Sequence, residues 1–117
     1  MTLTNLAVTG ELFLGGWGTV TQITSITTGV TLDTKRGAIT TVDPALAAAG
    51  EAEFVVTNSQ CHPGSVVVVS VASGPSDSEH VVAFITTVAE GSFSILLSNL
   101  AAVNQADGAM VINFAII

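Results

Sequence analysis

The stretch that decides the fold is EAEFVVTN, residues 51–58, because its side chains alternate between two environments. In an extended chain Ala52, Phe54 and Val56 project to one side, while Glu53 projects to the other. Alternation with a period of two residues is typical of a strand that has one face in a core. The sequence therefore predicts a β-strand here, and the neighbouring segments can be compared with it.

Strand patterns continue towards the carboxyl end of the chain. Residues 64–72 contain the uninterrupted valine run 66–69. Such a run predicts a strand that is buried on both faces, either inside a sandwich or under a neighbouring subunit. Residues 80–88 and 92–97 flank Ala89-Glu90-Gly91, which predicts a hairpin with a short loop.

Shorter strands complete the pattern. They are predicted over residues 19–25, 29–32, 38–42 and 109–117. Residues 43–50 favour either a helical turn, with Pro44 at its first position, or a plain loop. Short strands rich in Val, Ile and Thr predict an all-β fold. We expect a single antiparallel β-sandwich, jelly-roll-like, over residues 19–117.

Residues 1–18 differ from the rest of the chain. The sequence Gly15-Gly16-Trp17-Gly18 indicates a flexible joint that carries one large apolar side chain. We predict a short N-terminal arm over residues 1–18 that binds a partner. Its predicted contact residues are Leu12, Phe13, Leu14 and Trp17. The alternative is an extra edge strand with Trp17 in the core.

The composition indicates an assembly protein. Only 9% of the residues are charged and 49% are hydrophobic, whereas ordinary soluble domains carry roughly 25% charged residues. No apolar run approaches the about 20 residues that a membrane-spanning helix needs. A surface so poor in charge is best covered by other copies or by a partner. The apolar final strand supports this, since termini are usually solvated unless they are tied down.

The charge balance argues against two classes of partner. The net charge is −7, and only Lys35 and Arg36 oppose nine carboxylates. Nucleic acids and anionic membranes are bound by clustered cations, so neither is expected as a partner. Cys61 is the single cysteine, so no intrachain disulfide can form, and one thiol is compatible with the reducing cytoplasm.

Signals for catalysis are sparse. Cys61 and His62 are adjacent, but a structural zinc site needs about four ligands and the only other histidine is His80. Residues 77–80 contain the residue types of a hydrolytic triad, but a triad is defined by geometry and not by adjacency. The pair Glu51 and Glu53 is better explained as a solvated strand edge. We therefore predict no catalytic, metal or cofactor-binding residues, and no enzyme.

Several segments resemble, in the same order, segments of tailed-phage virion proteins. They are Val20-Thr21-Gln22-Ile23-Thr24-Ser25-Ile26-Thr27-Thr28-Gly29-Val30-Thr31-Leu32, Gly37-Ala38-Ile39-Thr40-Thr41, Phe54-Val55-Val56-Thr57-Asn58-Ser59, Val66-Val67-Val68-Val69-Ser70, Ala89-Glu90-Gly91-Ser92-Phe93 and Val111-Ile112-Asn113-Phe114-Ala115-Ile116. The resemblance covers residues 19–117 and includes small head-decoration, head-fibre and fibre-tip domains. It implies a β-sandwich that forms trimers, and it brings no catalytic residues.

Together these observations predict a phage capsid decoration (cement) protein. The short segment before the sandwich leaves no room for a fibre shaft, which favours the head. We expect a homotrimer that binds the major capsid protein on the virion surface and is made in the host cytoplasm. The predicted trimer contacts are Phe114, Ile116 and Ile117. The alternative is a head-fibre or tail-fibre tip domain that binds a receptor or a glycan.

Overall fold

A computed structural model describes residues 16–42, 45–74 and 80–117, and within these ranges all regular structure is β-strand. The ten strands are β1 Trp17–Thr21, β2 Val30–Thr31, β3 Arg36–Thr40, β4 Ala45–Leu46, β5 Glu51–Thr57, β6 Val67–Ser73, β7 Val81–Ala89, β8 Ser92–Asn99, β9 Ala106–Asp107 and β10 Val111–Ile116.

Two four-stranded sheets contain most of the strands. Sheet A has the order β1-β3-β10-β6, and sheet B has the order β2-β5-β8-β7. In these two sheets β1 runs parallel to β3 and β2 runs parallel to β5, and the other neighbouring strands are antiparallel. A third, two-stranded sheet joins β4 to β9. The edge strands β6 and β7 of the two large sheets lie next to each other.

The two large sheets pack face to face around one apolar core. Sheet A contributes Ile39, Ile112 and Phe114, and sheet B contributes Phe54 and Ile95 among its buried residues. Because inward side chains alternate with outward ones along each strand, both sheets keep a second face away from this core. The described residues thus have the layered arrangement of a β-sandwich.

The long sheet B strands confirm the sequence predictions. In β5 the side chains of Ala52, Phe54 and Val56 are buried and the intervening ones are exposed, as the alternation predicts. The hairpin is β7 and β8 joined by a turn at Glu90 and Gly91. Gly91 has a φ of 78°, a left-handed conformation that glycine adopts without strain.

Other predictions need correction. The sheets are mixed, because each has a parallel pair at one edge, so the expected antiparallel pattern holds only for the other pairs of each sheet. The strand predicted over residues 19–25 begins at Trp17 and ends at Thr21, after which Ile23 is exposed. Within residues 43–50 the described part is strand β4 and a turn, because Ala45 and Leu46 pair with β9.

The valine run is buried on one face only within the subunit. Val67 and Val69 pack against the core, but Val66 and Val68 are exposed. The reason is that β6 is an edge strand of a two-layer structure, so no third layer of the same chain covers its outer side. The prediction that the run is covered on both faces is therefore wrong for burial inside one sandwich.

Two glycines allow β1 and β3 to approach the core closely. Gly18 and Gly37 are register partners on these parallel strands. A Cβ atom built on Gly37 would lie 2.6 Å from the carbonyl oxygen of Gly18, 2.8 Å from Leu32 Cδ2 and 3.1 Å from Phe114 Cε1. Such distances are too short for contacts of a carbon atom, so position 37 requires a residue without a side chain.

We therefore expect Gly37→Ala to lower the free energy of unfolding by about 1–3 kcal/mol, the usual cost of overpacking. Gly64→Ala is the matched control, because a Cβ there meets no atom within 4 Å and the residue lacks a left-handed φ. Urea unfolding at one fixed protein concentration measures both. Equal stability of the two variants would contradict the packing described for Gly37.

Candidate interaction surface

The outward face of sheet A is nearly free of charge. Residues from the four strands lie side by side in rows, one of which is Trp17, Arg36, Ala115 and Val68. The remaining outward residues of the face are Thr19, Thr21, Ala38, Thr40, Ser70, Ala72, Val111 and Asn113. Among these outward positions Arg36 alone carries a charge. We call this set of residues the A face.

Large apolar side chains are concentrated at one end of the A face. Trp17 is 55% exposed on β1, and Val68 is 47% exposed on β6. Beside them Val66 is 59% exposed and Ile117 is 77% exposed, and these two residues are adjacent because the Ile117 amide donates to the Val66 carbonyl. Trp17 thus lies at one edge of the face, and Val66, Val68 and Ile117 lie together at the other. Exposed apolar side chains, tryptophan and arginine are residue types enriched in protein–protein interfaces.

A shallow depression lies between β6 and β10. Its volume is about 270 Å³, and its lining residues are Val68, Val69, Ser70, Asn113, Phe114 and Ala115. Ser70 and Ala115 are small, so the surface is lower where they lie. Small-molecule pockets usually measure about 300–1,000 Å³, so this depression is suited to one large side chain rather than to a ligand.

The A face ends at a loop region that is held rigidly by hydrogen bonds. This turn end comprises residues 32–35, residues 58–66 and the turn at Glu90 and Gly91. Asn58 is buried, and its Nδ2 donates to the Thr34 carbonyl at 2.7 Å. The Gly91 amide donates to the Cys61 carbonyl at 2.9 Å. The three segments therefore form one unit beside the start of β6.

The turn end also carries an exposed ion pair. His62 Nδ1 lies 2.9 Å from the Glu90 carboxylate, and both side chains are mostly exposed. An exposed pair of this kind contributes little to stability. The pair holds the Glu90 carboxylate beside His62, in the segment that leads into β6. Lys35 and Arg36 lie where β3 begins, and the Lys35 carbonyl accepts from the Ile116 amide of β10.

The outward face of sheet B has a different character. Phe84 is 50% exposed and lies in register with Leu96, which in turn pairs with Glu53. Glu51 is exposed on the same strand as Glu53. Sheet B thus presents carboxylates where sheet A presents Arg36, and the two faces of the sandwich are not equivalent.

The sequence-predicted contact residues fall in different places. Leu12, Phe13 and Leu14 lie outside the described residues. Trp17 belongs to edge strand β1 and not to a separate segment, but its side chain is exposed rather than in the core. Of the predicted trimer contacts, Phe114 and Ile116 are buried inside the subunit, and only Ile117 is exposed.

Sequence reasoning missed the exposed residues of β6 and β10 on the A face and beside it. Val66 and Val68 were assigned to a strand covered on both sides, and Ser70 and Ala115 carry no signal of their own. Side chains alternate between the two faces of a strand, so Val66 and Val68 share one face. That this face is exposed could have been predicted only if β6 had been known to be an edge strand. Strand order, which the sequence does not contain, was therefore the missing information.

The chemistry-bearing residues do not converge in the described part of the chain. Cys61 is buried, and its Sγ donates to the Ser92 carbonyl at 3.3 Å. Among residues 16–42, 45–74 and 80–117, no three His, Cys, Asp or Glu side chains come together as metal ligands would. The cluster predicted around His80 includes residues 77–79, which lie outside these ranges. In the same ranges no helix is long and apolar enough to cross a membrane.

Comparisons of the chain with protein families, with curated proteins and with solved structures found no match.

The alternate burial of the valine run predicts opposite results for two neighbouring substitutions. Val69→Thr places a hydroxyl against the core, and we expect a loss of about 1–3 kcal/mol of unfolding free energy. Val68→Thr changes an exposed side chain, and we expect a change within about 0.5 kcal/mol in dilute protein. Urea unfolding measures both, and a larger loss for Val68→Thr would show that the register of β6 is reversed.

Proposed function

We propose that this chain is a structural protein of a tailed-phage virion, a decoration (cement) protein that binds the outer surface of the head as a homotrimer. The observation that carries the proposal is the A face, where Trp17 and Val68 are exposed, together with the exposed Val66 and Ile117 beside it; Arg36 is the single charged position of the face. A face of this composition can be buried against other proteins without removing many charges from water. The resemblance of residues 19–117 to virion proteins supports the same assignment.

The proposed activity is mechanical. A trimer that bridges neighbouring subunits of the shell buries apolar and threonine-rich surface across their junctions. Separating the junctions then requires this surface to be exposed to water, at a cost of about 25 cal/mol for each Å² of apolar area. The shell would in this way resist the pressure of the packaged DNA. The partner is the major capsid protein, and the location is the virion surface.

A receptor- or glycan-binding tip of a head fibre or tail fibre is the second candidate. The observation that favours it is the outward face of sheet B, where exposed Phe84 lies in one row with Leu96 and Glu53. An exposed aromatic ring beside a carboxylate is a suitable surface for a sugar. The outward face of sheet B also carries the charges of Glu51 and Glu53, whereas Arg36 is the single charged position of the A face, so we place the decoration function first.

Immunogold electron microscopy separates these functions. Antibodies against the purified protein are applied to particles of the virus that encodes this chain. Label spread over the heads is the expected result. Label confined to fibre tips would favour the second candidate, and particles that lack the protein would overturn the proposal altogether.

The contact with the head is assigned to the predicted arm residues. We expect the triple variant Leu12→Ser, Phe13→Ser, Leu14→Ser to lose at least tenfold in affinity for expanded heads that lack the protein, because three apolar anchors are removed. Co-sedimentation with such heads measures binding, and light scattering verifies that the oligomeric mass is unchanged.

The control for the arm is Thr2→Ser, Thr4→Ser, Thr9→Ser, which alters the same segment without removing large apolar side chains. We expect this control to bind heads as the unmodified protein does. If the arm variant also bound heads normally, the assignment of the arm as the attachment segment would be wrong.

A further inference from the structure

We propose that residues 12–14 form a strand that pairs with the outer edge of β1, in a hairpin whose turn is residues 15–16. This inference rests on the proposed function, and it identifies the surface proposed to meet the head. Leu12 and Leu14 extend the A face, while Phe13 packs inwards. Residues 12–15 lie outside the described ranges, so the hairpin is inferred from the described residues on which it would fold.

The turn chemistry is that of a two-residue β-hairpin. Residues 15 and 16 are both glycine, and β1 begins at the next residue, Trp17. Gly-Gly is one of the dipeptides that type I′ turns favour, because both central residues need a positive φ. Gly16 has a φ of 70°, and a Cβ atom built on it meets no atom of the described residues within 4 Å. Packing of the described residues thus does not require glycine at position 16, whereas the left-handed φ favours it.

The backbone of β1 is oriented to receive this strand. The Gln22 amide, which directly follows β1, donates to the Thr40 carbonyl of β3 at 2.8 Å, so the even-numbered residues of β1 point their backbone groups towards β3. Those of Trp17 and Thr19 therefore point to the outer edge of the sheet. In a two-residue hairpin the residues on either side of the turn exchange two hydrogen bonds. Leu14 and Trp17 are those residues, and the Trp17 backbone points in the direction that this pair requires.

The outer edge of β1 lacks the devices that protect exposed edges. Among the described residues, β1 is the last strand of sheet A on that side. It contains no charged residue, no proline and no register shift, which are the usual means of preventing a further strand from pairing. In sheet B, by contrast, β2 covers only residues 56–57 of β5, and the rest of β5 carries Glu51 and Glu53. The unprotected edge is the one that the Gly-Gly turn adjoins.

The register of the hairpin places Phe13 opposite Gly18. Residues directly opposite each other share a face of the sheet. Gly18 faces inwards, because a Cβ atom built on it would lie 2.7 Å from Leu32 Cδ1. Val20 and Leu32, on this side of the core, are only partly buried by the described residues. An aromatic ring opposite a glycine covers the space that the glycine leaves, which stabilises a sheet edge. Phe13 is therefore the arm residue that faces the core.

Leu12 and Leu14 come to lie on the opposite face of the sheet. Their partners in the hairpin are Thr19 and Trp17, which are both outward residues of the A face. The A face thereby gains two leucines beside the exposed Trp17 ring. In the proposed function these two leucines and Trp17 contact the head together, whereas Phe13 does not contact it.

Nuclear magnetic resonance of the unmodified full chain tests the hairpin directly. Phe13 and Gly18 form a pair without mutual hydrogen bonds, in which the α carbons approach to about 4.5 Å. We expect a cross-strand nuclear Overhauser effect between their α protons. We also expect the amide protons of Trp17 and Thr19 to exchange with water about tenfold or more slower than unpaired amides do. Absence of the α-proton contact would overturn the inference.

A mixture of isotope-labelled and unlabelled protein separates the hairpin from an exchange of strands between copies. A contact within one chain is absent from spectra that select signals between labelled and unlabelled copies. If the α-proton contact appeared in those spectra, residues 12–14 would pair with β1 of another copy, and the intrachain hairpin would be wrong.

Substitutions in the turn provide a matched pair of variants. Gly15→Asn keeps a residue that accepts a positive φ, whereas Gly15→Val introduces a β-branched residue that does not. We expect the α-proton contact to remain in the first variant and to be lost in the second. A flexible joint would tolerate both residues, so the same contact in both variants would contradict the turn assigned to residues 15–16.

Unfolding by urea separates the two faces of the proposed strand. Phe13→Ser removes a ring from the core side, and we expect the midpoint of unfolding to fall by about 0.5–1 M. The double variant Leu12→Ser, Leu14→Ser is the matched control, since it removes apolar side chains from the outward face of the same strand. We expect a smaller fall for this control. Equal or reversed losses would overturn the inward placement of Phe13.

Failure of the hairpin and failure of the proposed function give different results, because neither resonance nor unfolding requires heads. If the α-proton contact is present while Leu12→Ser, Leu14→Ser still binds heads in co-sedimentation, the attachment proposed for the arm is wrong and the hairpin stands. If the contact is absent while that variant loses about tenfold in affinity for heads, the hairpin is wrong and the attachment stands.

Discussion

The contact between Phe93 and Phe114 is the one on which the sandwich depends. Phe93 lies on β8 and Phe114 on β10, both inner strands of their sheets, and the ring centroids are 5.2 Å apart at an interplanar angle of 55°. A tilted aromatic pair adds about 0.5–1.5 kcal/mol to the burial of the rings. Gly37 leaves the space that the Phe114 ring occupies, since a Cβ there would meet that ring at 3.1 Å. The spacing of the sheets, and so the orientation of both outer faces, follows from this packing.

Buried amides fix the loops around this core, where other proteins often use charged side chains. Gln22 donates to the carbonyls of Ile26 and Thr28 and accepts from the Val42 amide. Asn99 donates to the carbonyls of Leu46 and Asn104 at 3.0 Å in the same manner. Each bond satisfies a backbone group that burial would otherwise leave unpaired, at a cost of about 1–3 kcal/mol. Neutral side chains therefore suffice to order the loops, and the low content of charge does not imply loose structure.

The sequence predicted local structure well and strand order not at all. The alternation in β5 and the hairpin of β7 and β8 depend only on residues close in the chain, so both could be predicted. The parallel pairing of β1 with β3 joins segments separated by residues 22–35, which include β2 of the other sheet, and nothing local specifies it. The same limit applies to the surface. Trp17 was noticed as an anchor, but its position opposite the depression depends on two intervening strands, so the residues that form the depression had no recognisable pattern.

The composition of the A face also affects the cost of assembly. Its residues are mainly Val, Thr, Ala and Ser, whose side chains have little rotamer freedom to lose, whereas Lys and Glu lose up to about 2 kcal/mol each when they are immobilised. Association must offset such losses as well as those of translation and rotation. A face built from short and branched side chains therefore retains more of its burial energy as affinity. In the proposed role, several modest contacts made by one bound assembly would act together, because the first contact raises the effective concentration for the next. The scarcity of charged residues is thus consistent with the proposed role, in which the chain acts by being bound.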